Sequence, residues 1–219
     1  MHTSITKGRA SVADSPPVAR SSVRPVAPVS VHAGWEVSQA RSTAPVRLAD
    51  LTPLTKVLIR TSATSRMGAS LGCAFGRSTR NPAGHLVAGT GPDEWLVIAP
   101  AGTAEAVFAG LEGSDQPELA TVLDLTHGGV LLRLTGPDAA RVLEKVCAID
   151  FSDAVTPDGT VFRTSVARVT TDVIRDDLGG VCSYLLHSDR ASGQYQSDVL
   201  LDAGAEFGLA LDGYPEKEI

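Results

Sequence analysis

From Thr55 onward, apolar and polar positions recur with periods that identify their elements. Residues 56–61 (KVLIRT) form a short apolar run and predict a strand, whereas Met67, Leu71 and Ala74 recur at helical spacing within 64–74. Residues 85–88 and 94–99 predict two strands joined by Gly89-Thr-Gly91-Pro92-Asp93, a cluster suited to a hairpin. Pro100 and Gly102 end the second strand. Ala104, Val107, Phe108 and Leu111 then form the apolar stripe of a helix that Thr103 is placed to cap. Residues 118–125 return as a strand, so the order is βαββαβ.

The order then restarts. Residues 129–134 are an apolar strand broken only by Arg133. Gly136-Pro137-Asp138 opens a helix, since Pro suits its first turn and Asp its positive end, with Ala139, Val142, Leu143 and Val146 as the buried stripe. Residues 161–169 predict a strand holding Arg163 and Arg168; 171–175 extend it or pair beside it; 181–186 are the next strand. Tyr195, Val199, Leu200, Ala203 and Phe207 mark the last helix, which Gly208 ends. The pattern predicts an α+β fold of two ferredoxin-like βαββα halves packed together, at 48–126 and 127–219.

Residues 1–47 stand apart. The first 50 residues hold 5 of the 13 prolines, and segment 11–30 has a period of neither 2 nor 3.6. It is predicted to be an extended or disordered N-terminal arm. Its Arg- and Ser-rich start mimics a transit peptide but lacks the apolar block of a secretory signal. Trp35 in this arm either anchors onto a partner or packs on its own domain.

Composition narrows the function. Of 219 residues, 43% are apolar and 20% charged, which suffices for a packed core, and the net charge of −6 argues against a nucleic-acid partner. No apolar run reaches membrane-spanning length. Cys73, Cys147 and Cys182 are too far apart for a zinc site and too few for a disulfide framework; they read as small buried apolar residues of a cytoplasmic protein. Metal, nucleotide and nucleophile motifs are absent.

The remaining polar groups each admit two readings. His127 in Asp124-Leu-Thr-His127 is a general base with an orienting Asp, or part of a turn tied by polar side chains. Asp93 and Glu94 are adjacent on a strand and face opposite ways, so they read as a turn residue and an exposed Glu. Asp172, Arg175, Asp176 and Asp177, before Gly179-Gly180, read as a solvated hairpin tip or as a substrate or partner contact. Arg133, Arg163 and Arg168 in strands call for carboxylate partners, here or on another subunit.

Several stretches carry a family resemblance in the right order: Gly91-Pro-Asp-Glu-Trp-Leu-Val-Ile-Ala-Pro100, Leu123-Asp-Leu-Thr-His127, Leu134-Thr-Gly-Pro-Asp138, Val142-Leu-Glu-Lys-Val-Cys147-Ala-Ile-Asp150, and the closing strand and helix within 181–209. Over 48–210 the chain resembles the gamma subunit of heterotetrameric sarcosine oxidase, itself similar to the folate-binding fold of the glycine-cleavage aminomethyltransferase. The resemblance implies that this fold is kept while its reactive groups are lost. Ala83-Gly84-His85 stands where the aminomethyltransferases have a catalytic Asp, and Arg175-Asp-Asp-Leu-Gly-Gly-Val-Cys182 replaces their Gly-Tyr-Thr-Gly-Glu turn. Gly208-Leu-Ala-Leu-Asp-Gly-Tyr214 stands where they have Gly-Leu-Gly-Ala-Arg-Asp.

The resemblance further implies a subunit with no catalytic, cofactor or metal site of its own. Its complex demethylates sarcosine oxidatively to glycine, releases hydrogen peroxide and passes the one-carbon unit to tetrahydrofolate. FAD, FMN, NAD and tetrahydrofolate belong to the larger alpha and beta subunits, and a small delta subunit completes the assembly. Trp35, Trp95, Arg133, Arg163 and Arg168 are then expected at partner interfaces. The alternative is a stand-alone folate-dependent aminomethyl- or methyl-transferring enzyme, or a pterin-binding module, with His127 and Asp172 as the polar site.

Overall fold

The computed structural model describes residues 17–111 and 119–215. The chain opens with β1 (Ala19–Arg20), β2 (Val29–His32) and β3 (Trp35–Ser38), a small sheet in the order β1-β3-β2. From residue 17 on, the arm is therefore folded, while residues 1–16 of the predicted arm lie outside the described residues. Alternate positions of β3 explain why. Trp35 and Val37 are 3% and 4% exposed and join an apolar cluster with Leu54, Leu96, Leu131 and Leu185. With Val23, 3% exposed in the cluster of Leu48 and Leu132, three side chains anchor a segment rich in Pro, Ser and Arg.

After β4 (Val46–Asp50) come β5 (Thr55–Thr61), α1 (Arg66–Ser70), β6 (Ser78–Arg80), β7 (Leu86–Gly91), β8 (Glu94–Ala99), α2 (Ala104–Leu111) and β9 (Ala120–Asp124). The strands from β5 to β9 form an antiparallel sheet ordered β6-β7-β8-β5-β9. Without the short β6, that is the ferredoxin-like order, with a helix following the first and third strands. The helix expected over 64–74 is cut to α1, because Ser65 caps its start (2.9 Å from the Gly68 N–H) and Gly72 at φ +61° follows its end. The Thr103 hydroxyl turns back to the Pro100 carbonyl at 2.7 Å, while its own carbonyl accepts the Val107 N–H.

The second sheet is built from β10 (Gly129–Thr135), α3 (Ala139–Glu144), β11 (Val161–Val166), β12 (Val169–Arg175), β13 (Ser183–Asp189), α4 (Gly193–Gly204) and β14 (Leu209–Asp212). Its order is β11-β12-β13-β10-β4-β14, so β4 sits between β10 and β14. The boundary drawn at residue 48 thus cuts a strand of the second sheet: Leu48 lies opposite Leu134 of β10 and beside Leu211 of β14. The run 161–169 is also divided. Ala167 and Arg168, at φ +51° and +66°, make a two-residue turn between β11 and β12, so Arg168 is a turn residue and not a strand residue.

Period-2 alternation separates the faces. Trp95 and Val97 pack outward with Leu71 and Val107 beneath the first pair of helices. Leu48, Leu132 and Leu134 pack outward against Val142, Leu143 and Leu200 of α3 and α4. The inner faces meet each other, with Leu86, Leu96 and Ile98 of the first sheet in one cluster with Leu131, Ile174 and Leu185 of the second. The result is four layers, helix-sheet-sheet-helix.

Candidate functional site

The inner layer turns polar at one end. In β8, Leu96 and Ile98 face inward, so Glu94 does too. In β12, Ile174 faces inward, which aims Asp172 the same way. Register then places Arg163 of β11 and His187 of β13 on either side of Asp172 in one cross-strand row. Neighbours in this row are 9 and 15 residues apart, and Glu94 comes from the other sheet.

The row is closely bonded. Arg163 Nε donates to Asp172 Oδ1 at 2.6 Å, and its Nη2 donates to Glu94 Oε1 at 2.8 Å and to Asp172 Oδ2 at 3.3 Å. His187 Nδ1 lies 3.2 Å from Asp172 Oδ2. Arg60 Nε donates to Glu94 Oε2 at 2.7 Å, and the Thr90 hydroxyl donates to Oε1 at 3.0 Å. Arg163 thus ties the two sheets together through one guanidinium. Burial pushes the Asp172 carboxyl up, but hydrogen bonds from His187 and Arg163 outweigh it and hold it below the ordinary carboxylate value. At Glu94, too, burial pushes up, and bonds from Arg163, Arg60 and Thr90 bring the net shift down.

An open cleft of about 350 Å³ borders this row, lined by Leu125, Gly129, Arg163, Asp172, His187 and Ser188 among others. His187 Nε2 is buried without a partner, and a Cβ on Gly129 would stand 2.4 Å from it. The imidazole therefore fills the space that glycine leaves. Both Asp172 oxygens accept from Arg163, and one also faces the imidazole. Such an arrangement orders and holds; it presents its carboxylates as stable anions, not as proton acceptors.

The GCVT N-terminal domain family matches residues 82–217. Sarcosine oxidase subunit gamma of Corynebacterium sp. (strain P-1) is 30% identical over 186 residues, which cover 80% of this chain and 88% of that one. The chain belongs to the family of sarcosine oxidase gamma subunits. Among solved structures, heterotetrameric sarcosine oxidase from Corynebacterium sp. U-96, in complex with pyrrole 2-carboxylate, matches at TM-score 0.66 and 26% identity, covering 78% of this chain and 90% of that chain. Aminomethyltransferase T of the Bartonella henselae glycine cleavage system matches at TM-score 0.64 and 19% identity, over 84% of this chain and 55% of that chain, a likeness of fold alone. The fold expected of this family, with its aminomethyltransferase-type sheets, is the one observed.

The individual residues fare differently. Trp35 and Trp95, expected at interfaces, are each 3% exposed. Trp35 stacks on His127 with centroids 4.5 Å apart, and the Trp95 Nε1 donates to the Cys73 carbonyl at 2.7 Å. Both are spent within the chain. Arg133 finds its carboxylate in the same chain, Asp176 at 2.7 Å, as Arg163 does in Asp172 and Glu94. Of the five expected contacts, Arg163 and Arg168 keep exposed places, Arg163 in β11 with a side chain 43% exposed and Arg168 on the β11–β12 turn. Asp172 and His127, either of which could be the polar group of the alternative reading, have different surroundings: His127 stacks on Trp35, and Asp172 lines the cleft beside Arg163 and His187.

Asp124 accepts the Thr126 N–H at 2.8 Å, so Asp124 to His127 form a turn and not a dyad. Glu94 was expected to be exposed and is 7% exposed. Likewise the expected solvated tip from Asp172 to Asp177 is an ion-pair network, in which Arg175 joins Asp177 at 3.1 Å and Asp176 joins Arg133. Cys73 and Cys182 are partly exposed thiols, pushed up in pKa by burial, and Cys147 is buried.

Proposed function

We propose that this chain is the gamma-type subunit of a heterotetrameric sarcosine oxidase and contributes structure, not chemistry, to it. The complex would oxidatively demethylate sarcosine to glycine with release of hydrogen peroxide and pass the one-carbon unit to tetrahydrofolate. FAD, FMN, NAD and tetrahydrofolate would be held by the larger alpha and beta subunits, with a small delta subunit as the fourth chain, in the cytoplasm. The observation that carries this reading is the likeness to a subunit gamma over 88% of that protein's length. The site supports it from inside. Two carboxylates line the cleft: Asp172 is held by Arg163 and faces His187, and Asp189 accepts the Ala191 N–H at 2.8 Å, so each already has a bonding partner within the chain. A scaffold of this kind buries well over ~2,000 Å² against obligate partners.

Co-expression with the larger chains of a sarcosine oxidase tests the reading. The expected outcome is co-purification, with all flavin in the other chains. In parallel, calorimetry of the isolated chain with tetrahydrofolate is expected to show no micromolar binding. A folded monomer that demethylates sarcosine alone, or that binds tetrahydrofolate at micromolar concentration, would overturn it.

A further inference from the structure

Arg133, Arg163 and Arg175 of the second sheet each reach a carboxylate of this chain, at 2.7, 2.6 and 2.6 Å. Arg168 reaches none. Among the described residues its guanidinium has no ion pair, hydrogen bond or ring contact, and the residue stands exposed on the β11–β12 turn.

The backbone there disfavours an arginine. A two-residue hairpin turn with both φ values positive suits glycine and asparagine. Ala167, at φ +51°, has a local reason for its place: it is 7% exposed, and its N–H donates to the Val146 carbonyl at 2.8 Å, so a small side chain fits where the hairpin meets the chain after α3. Arg168, at φ +66°, has no such reason, since glycine would hold the same conformation without strain and no packing would be lost. A long cationic side chain that strains the turn and serves nothing within the chain points to a contact outside it.

The same hairpin has one face free. On its outer side Val166 is buried in the cluster of Val142 and Leu143. On its inner side Arg163, Ser165 and Thr170 are exposed, with Ser165 opposite Thr170. The Arg163 charge is already matched by Asp172 and Glu94, so the unmatched charge of this face is that of Arg168.

We propose that the tip of the β11–β12 hairpin is a contact with a neighbouring subunit, in which Arg168 meets a carboxylate of an acidic, polar segment and Ser165 and Thr170 hydrogen-bond beside it. The proposal rests on the subunit reading above. Arg168→Gly separates the contact from the fold, because glycine suits φ +66° and the variant should fold at least as well as the unaltered chain. Its affinity for the larger chains, measured across a salt series, is expected to fall at least tenfold and to lose part of its salt dependence, while its melting temperature holds or rises. Arg168→Lys keeps the charge and is expected to lose less than about threefold.

Unchanged affinity and salt slope in Arg168→Gly would overturn the proposal, as would a Lys variant as weak as the Gly variant. Self-association of the isolated chain that Arg168→Gly abolishes would also overturn it, by making a second copy of this chain the partner. Failure of the unaltered chain to assemble at all would instead sink the subunit reading, so the two failures are distinguishable.

Discussion

At the residue scale, Lys56 carries a clear burial penalty. It is fully buried in β5, with its ammonium donating to the Thr52 and Leu54 carbonyls at 2.6 and 2.8 Å. Burial lowers its pKa from 10.5 to about 7, although Asp50 and Asp124 pull the other way. Between these two values the unfolded chain holds a proton that the folded chain has released. Stability should therefore rise with pH across that window, by about 1.4 kcal/mol per unit from this group. Urea unfolding at a series of pH values checks this, and Lys56→Met should remove the slope.

Asp172 and Glu94 work in the opposite sense. Their lowered pKa values supply stability that is present above the ordinary carboxylate range and lost as pH falls below it. Arg163→Ala leaves both carboxylates without their shared partner and should cost about 2 kcal/mol or more, read by the same unfolding assay. Gly129→Ala should also destabilise the fold, because the new methyl meets His187 Nε2 at 2.4 Å and the imidazole must leave Asp172.

At the scale of elements, the legible parts were those with a local period. β5, β7, β8, β10 and α4 follow from alternation or helical spacing within their own residues. β4 was missed because five residues after a Pro-rich stretch give no period, and its pairing with β10 spans some 85 residues of chain. The cross-strand row was illegible for a related reason. Arg163, Asp172 and His187 were visible as charged or polar positions, but only register sets them side by side. One signal was available for Glu94: a carboxylate at the start of an apolar strand shares the face of Leu96 and Ile98.

The arm now has a stated role in packing. Trp35→Ala removes a buried ring from between the sheets and should cost about 3–5 kcal/mol, enough to lower the melting temperature clearly by calorimetry. The Ala167-Arg168 turn invites the reverse change. Arg168→Gly relieves a left-handed residue at φ +66° and should stabilise by up to about 1 kcal/mol in the same calorimeter.

For the whole molecule, the decisive feature is how little of its polar chemistry is left over. Arg133 and Arg163, expected to reach another subunit, close on carboxylates of this chain, and both tryptophans lie inside it. What remains for other chains is the outside, including exposed apolar positions such as Phe75 and Leu123. A gamma-type subunit of this construction acts through the assembly it completes. Sarcosine oxidation by the co-expressed larger chains, with and without this chain, tests that most directly. The account expects the complex to lose assembly and turnover when this chain is left out; larger chains that assemble without it and oxidise sarcosine at an undiminished rate would contradict it.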